Sequence, residues 1–296
     1  MALLLTMALA ECTDDSDFTP PAFLHVDAVS IVAAADNDIV HGDANFYTSD
    51  IVATYVLLRY PEQTKLDTLG LFRLPFTVPV LHNGDVESIE LYPAVEMSGQ
   101  HLTLPFYTYY NPIVIKDTAV HSGDTLDLGA LTTCYNPQTD FPMLFEPFEP
   151  TSASIFLDST VQWVRHDHDN ACTGDGYGRV DVSADTANVG FSIDHDFYQT
   201  DATKVMYMEI DIRTDVTVVV YMHAAYSDGG NENTNEVMRI KATDGQWRHI
   251  YVNLGKTWAY FNHPKKFRLS FAALNVDGNG GTVLMDNIKV LSTSVQ

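Results

Sequence analysis

A chain of 296 residues, 46% of them hydrophobic, carries enough apolar side chains for two domains of ordinary size and is no disordered polymer. Its 39 acidic against 16 basic residues give a formal charge of −23, which repels phosphate backbones and anionic lipid and so excludes nucleic acid as a partner. No apolar run approaches the ~20 residues of a membrane-spanning helix, so membrane attachment is expected only through a covalent anchor or another protein.

Residues 3–10 (LLLTMALA) form a short apolar run, followed by Glu11, Cys12 and the acidic stretch TDDSD. The pattern resembles a bacterial export signal whose cysteine, Cys12, becomes a lipidated N-terminus. The acidic tract resembles the tag that sends lipoproteins to the outer face of the outer membrane in Bacteroidota. The run lacks a preceding Lys or Arg, and Glu11 stands where a small residue is usual, while Ala8-Leu9-Ala10 suits an ordinary A-x-A cleavage. Residues 1–19 are therefore read as export signal and acidic leader.

Beyond them strand signals dominate. Segments 50–59 (DIVATYVLLR), 86–92 (VESIELY), 205–212 (VMYMEIDI), 216–222 (VTVVVYM), 247–254 (WRHIYVNL), 267–273 (FRLSFAA) and 282–291 (TVLMDNIKVL) are rich in β-branched and aromatic residues. Met206, Met208, Ile210 and Ile212 alternate with Tyr207, Glu209 and Asp211, which predicts one face in a core and one nearer water. No dozen residues repeat apolar positions at three and four, so the chain is predicted to be all-β.

The first module is read over residues 20–140. Asn83-Gly84 between two apolar runs predicts a tight hairpin. Leu74-Pro75 and Val78-Pro79 are expected at strand ends, where no ladder donor is needed. Residues 105–112 (PFYTYYNP) crowd four aromatics into eight positions, to be buried between sheets or against the second module, or else exposed as a platform for sugar or protein. Leu69-Gly70-Leu71-Phe72-Arg73-Leu74-Pro75, Pro79-Val80-Leu81, Ile89-Glu90-Leu91-Tyr92-Pro93 and Pro105-Phe106-Tyr107 together resemble a family of uncharacterised Bacteroidota surface lipoproteins with a PEGA-like module. That resemblance implies an N-terminal PEGA- or Ig-like β-sandwich and no particular activity.

Residues 136–150 (NPQTDFPMLFEPFEP) hold four prolines and no periodicity, so a Pro-rich linker is expected over 141–150. From 151 to 296 the order of elements, ending in DNIKV, resembles the galactose-binding-like jelly roll of carbohydrate-binding modules. The resemblance implies glycan recognition by a loop aromatic. Trp258 and Tyr260, in the polar stretch GKTWAYFNHPKK, come first, with Tyr226 and Asp228 next; simple loop packing is the alternative for Trp258. Trp247, at a strand entrance, reads as core. The same resemblance implies a structural Ca2+ held by Asp286 with Glu146 or Glu149, since calcium takes hard oxygen ligands. Equally, Asp286 could cap a turn by accepting backbone amides.

Residues 165–172 (RHDHDNAC) gather two imidazoles, two carboxylates and a thiol. His166 and His168 would share a face of a strand, but Gly174 and Gly176 follow, no third histidine stands out, and the run reads as an acidic loop. Cys134 and Cys172 could pair or stay free. No nucleophile elbow, P-loop or dinucleotide fingerprint occurs. The sequence thus reads as a non-enzymatic, exported, lipid-anchored surface protein that binds a glycan. The rival reading is a structural accessory of an outer-membrane complex that binds protein, and a weaker one is a glycoside hydrolase with an unrecognised acidic site.

Overall fold

The computed structural model describes residues 20–33, 47–61, 63–97, 104–136, 139–150, 155–156, 160–198, 205–226, 232–261 and 264–293. Cys12 and Asp228 lie outside these residues. Strands dominate, with one short helix among the described residues, and all seven segments read as strands are strands.

Two β-sandwiches follow one another. In the first, a four-stranded antiparallel sheet runs in the order β4 (Asp67–Arg73), β3 (Ile51–Arg59), β6 (Gly84–Val95), β7 (Ile113–Val120). Facing it are β5 (Phe76–Val80), β1 (Ala22–Val26) and β8 (Thr125–Asp127), with the pair β2 (Ala28–Ile31) and β9 (Ala130–Thr133) continuing β1 and β8. Leu24, Val56, Leu58, Val78, Ile89 and Leu91 fill the space between. Asn83-Gly84 is not a hairpin: β5 pairs with β1 while β6 pairs with β3 and β7, so the turn carries the chain from one sheet to the other. Gly84 supplies φ +139°, and the Asn83 carboxamide accepts the Ser122 amide at 3.1 Å. Both runs are apolar because each faces the shared core, not because they pair. Pro79 sits within β5, an edge strand, where its missing N–H leaves no ladder bond unmade.

The second sandwich joins a six-stranded sheet to a five-stranded one. The former has the order β11 (Gln162–Arg165), β12 (Gly176–Val182), β20 (Gly281–Thr293), β15 (Met206–Thr214), β18 (Arg248–Asn253), with β10 (Thr139–Glu146) pairing the far half of β20. The latter has β13 (Asn188–Ser192), β19 (Lys266–Leu274), β16 (Thr217–Ala225) and β17 (Glu232–Ile240), with β14 (Phe197–Tyr198) beside β19. Met208, Ile210, Val218, Val220, Phe267 and Phe271 meet between the layers. Thus much of the stretch read as a linker is a strand of the second module. Its register slips between Asp140 and Leu144, the interval that holds Pro142, which is how a strand tolerates an internal proline.

Two glycines on β12 have a packing reason. A Cβ on Gly176 would lie 2.1 Å from the Phe148 carbonyl oxygen, and one on Gly178 would lie 2.5 Å from the Phe148 ring. Gly176→Ala is therefore expected to lower unfolding stability by about 1–3 kcal/mol, the usual cost of overpacking, measured by urea denaturation.

The alternation along β15 is as read, but its second face does not approach water. Tyr207, Glu209 and Asp211 are all buried, because the first sandwich docks on that face. The first sandwich covers the outer face of the six-stranded sheet over β15, β18 and the far half of β20, whereas among the described residues the outer face of the five-stranded sheet stays open.

Candidate functional site

The covered face holds a polar node between the modules. Three tyrosines of the PFYTYYNP segment are buried there, Tyr107 ringed by Tyr109, Tyr110, Tyr207 and Tyr251 at centroid distances of 4.8–5.2 Å. Burial at the contact with the second module is thus the fate of these three. The Tyr107 and Tyr135 hydroxyls each donate to a Glu209 carboxylate oxygen at 2.6 Å. Lys289 Nζ lies 3.3 Å from Glu209, and His249 bridges Glu209 at 3.4 Å and Asp211 at 2.7 Å. Asp211 also accepts from the Thr48 hydroxyl at 2.6 Å and the Asn287 carboxamide at 3.0 Å. Burial opposes the charge on Glu209, but Lys289, His249 and Tyr107 outweigh it and hold the carboxyl down at about 2. Burial likewise favours a neutral His249, yet Asp211 and Glu209 push its imidazole up to about 9.

Asp286 and Glu146 are both engaged by backbone amides. Asp286 accepts the Cys172 and Thr173 amides at 3.2 Å and the Asn287 amide at 2.9 Å, the capping alternative. Glu146 accepts the Phe148 amide at 2.7 Å, and Glu149 receives the Asp175 amide at 3.4 Å. Burial pushes the Asp286 carboxyl up to about 8 and the Glu146 carboxyl up to about 7.

The RHDHDNAC loop closes over this node. His166 and His168 are exposed; the latter's Nδ1 lies 2.7 Å from the Gly174 carbonyl oxygen. Among the described residues no three His, Cys, Asp or Glu side chains converge as metal ligands. Cys134 and Cys172 are free thiols. Trp247, expected in the core, is half-buried: its indole N–H donates to the Asn170 carbonyl at 3.1 Å, and the Arg213 guanidinium lies 5.6 Å from the ring centroid.

Trp258 is the largest correction. It sits on α1 (Gly255–Tyr260), is 2% exposed, and packs edge-on against Phe267 at 5.5 Å, so neither ring face is open to a ligand. Six residues are too few to leave a helical period in the sequence, which is why the segment reads as a loop. Tyr260, 75% exposed, and Tyr226, which donates its hydroxyl to the Phe261 carbonyl, remain accessible at the end of the open sheet.

That open face carries side chains that the sequence reading passed over. Its strand register aligns Tyr198, Lys266, Ala225 and Glu232 in one row; the next brings Arg268, His223 and Thr234 together, and a third holds Ser192, Ser270, Tyr221 and Glu236. Tyr198, Arg268 and Tyr221 fall on a diagonal, the Cα positions of the two tyrosines roughly 16 Å apart at about 3.3 Å per residue and about 4.8 Å per strand. Beside Arg268 lies a cleft of about 110 Å³ lined by Ser192, Ile193, His223, Glu232 and Leu269. Arg268 pairs with Glu232 and with Asp196 at 3.6 Å, and Lys266 with Asp196 at 2.6 Å. His223 bonds the Thr234 and Ser270 hydroxyls at 2.8 and 2.6 Å, and its burial lowers the ring's proton affinity and keeps it neutral. The arrangement offers two aromatic rings, a fixed guanidinium, a neutral imidazole and hydroxyls, a set able to stack on a ring and bond its hydroxyl groups.

No family model and no curated protein matches this chain. The similar solved structures include the module TmCBM61 in complex with β-1,4-galactotriose, 14% identical, covering 46% of this chain and 83% of that one at a TM-score of 0.30. Another is a mutant of the family 29 module CBM29-2 complexed with mannohexaose, 13% identical, covering 51% and 92% at 0.32. A third structure, on the promiscuous specificity of carbohydrate-binding modules from the β-sandwich superfamily, is 13% identical and covers 81% and 85% at 0.33. With TM-scores this far below 0.5, no feature of the site is transferred from them.

Proposed function

We propose that the open five-stranded face binds a glycan and that the first module serves as its mount. The observation that supports this reading is the diagonal of Tyr198, Arg268 and Tyr221 beside a cleft lined by Ser192, His223, Glu232 and Arg268, on an outer sheet face of the second module. Stacking on apolar sugar faces with bidentate polar groups between suits a neutral or weakly charged oligosaccharide. The reading carries with it export and anchoring through Cys12, and membership of the Bacteroidota surface lipoproteins, both resting on sequence resemblance.

Tyr198→Ala and Tyr221→Ala are each expected to weaken oligosaccharide binding about tenfold, as loss of an aromatic anchor worth over 1 kcal/mol does, in glycan-array screening followed by calorimetry. Unchanged melting temperatures would show that the fold survives. An array without hits for wild type, together with an outer-membrane complex that co-purifies equally with wild type and both variants, would favour the accessory-protein reading.

A further inference from the structure

We propose a second saccharide site, for a neutral hexopyranose, in the aromatic pocket of the first module around Phe106. The inference rests on the glycan-binding reading for its ligand class and on separate residues for its site. Within the PFYTYYNP segment, Tyr107, Tyr109 and Tyr110 are nearly fully buried, whereas Phe106 is 53% exposed. Phe106 is thus the aromatic of this segment that keeps an accessible surface.

Its position is fixed from three directions. The backbone forms a bridge between Phe106 and Ala94, flanked by the Tyr107 amide donating to the Pro93 carbonyl at 2.7 Å. Tyr55 and Tyr92 meet the ring nearly edge-on, both at 6.3 Å, with interplanar angles of 86° and 74°. The two edge-to-face contacts fix the ring in place, and its 53% exposure leaves part of it open for stacking.

The cavity beside it measures about 290 Å³, at the small end of ligand pockets, and suits one or two sugar rings. Tyr92, Pro93 and Pro112 complete the apolar wall, and Thr108, Asn136 and Thr139 supply the polar rim. Among the described residues that line it none is charged, on a protein whose formal charge is −23. An acidic sugar would meet an unfavourable field with no cation to receive it, and a cationic ligand would find no carboxylate in the wall. The occupant is therefore neutral, with one apolar face and hydroxyls at its edge.

The test uses the full chain and neutral methyl hexopyranosides (glucoside, galactoside and mannoside) followed by saturation-transfer NMR and titration. Phe106→Ala should weaken binding of at least one of them about tenfold, while Tyr198→Ala/Tyr221→Ala leaves that binding unchanged; Phe106→Leu, which keeps the bulk but not the ring, should behave like Phe106→Ala. Loss of monosaccharide binding only in Tyr198→Ala/Tyr221→Ala would overturn the second site and leave the open-face reading standing. The reverse pattern supports the Phe106 site and leaves the open-face reading to its own test, the oligosaccharide titration of Tyr198→Ala and Tyr221→Ala. No binding of any of the three glycosides, or binding indifferent to Phe106, overturns the inference, as does capture of a proline-rich peptide by Phe106 in their place.

Discussion

Lys289→Ala is expected to destabilise the protein by about 3–5 kcal/mol, because it leaves Glu209 buried without its ammonium partner. Lys289 and Glu209 are both fully enclosed, and the Lys289 side chain also donates to the Tyr135 hydroxyl at 3.1 Å. The carboxylate would keep its tyrosine donors and His249, but its charge balance within the node would be lost. A double variant, Lys289→Met with Glu209→Gln, removes both charges and should recover most of the loss, since the amide still accepts from one tyrosine and leaves no uncompensated ion. Urea denaturation of wild type, each single variant and the double variant gives the coupling energy directly. A loss below about 1 kcal/mol in Lys289→Ala, the range of a solvated surface pair, would mean that the node is hydrated and that the modules are not held by it.

Stability is expected to fall by several kcal/mol as pH rises from about 5 to about 9. His249 binds its proton more tightly when folded, so its contribution is complete below its unfolded value near 6.5 and is lost as pH passes about 9. Asp286 and Glu146 also have raised folded values, near 8 and 7. Each favours the folded state most below its ordinary carboxylate range, and that advantage disappears as pH climbs through the folded value. Glu209 runs the other way: its contribution is complete above about 4.5 and is lost only as pH falls toward 2. The four together place the stability maximum near pH ~4–5. Denaturation midpoints at about pH 5, 7 and 9 check this, and a flat or rising trend would refute it. His249→Asn should flatten the limb between about pH 7 and 9 in particular.

Legibility in the sequence followed water. Strands with one apolar face and one wet face, such as β3 and β19, announced themselves by alternation. β17 did not: its sequence ENTNEVMRI is mostly polar because it is an edge strand whose outer positions face solvent. β10 was hidden by its prolines, which a slipped register accommodates. Among the residues singled out as sugar ligands, Tyr226 and Tyr260 are accessible but Trp258 is not, since a six-residue helix turns its indole inward. Tyr198 and Tyr221 carried no local mark. Their relation exists only across β14, β19 and β16, which the chain visits far apart in sequence.

By itself, the order of residues determined the all-β class, the strand positions, the acidic surface and the crowding of aromatics at 105–112, because each depends on near neighbours and on overall composition. Only the tertiary structure decided which polar faces are wet. Glu209, Asp211 and Lys289 alternate like surface residues, yet the docking of one sandwich on another removes them from water and turns them into the joint. It also decided which aromatics remain open to a ligand, since exposure depends on what a distant segment covers.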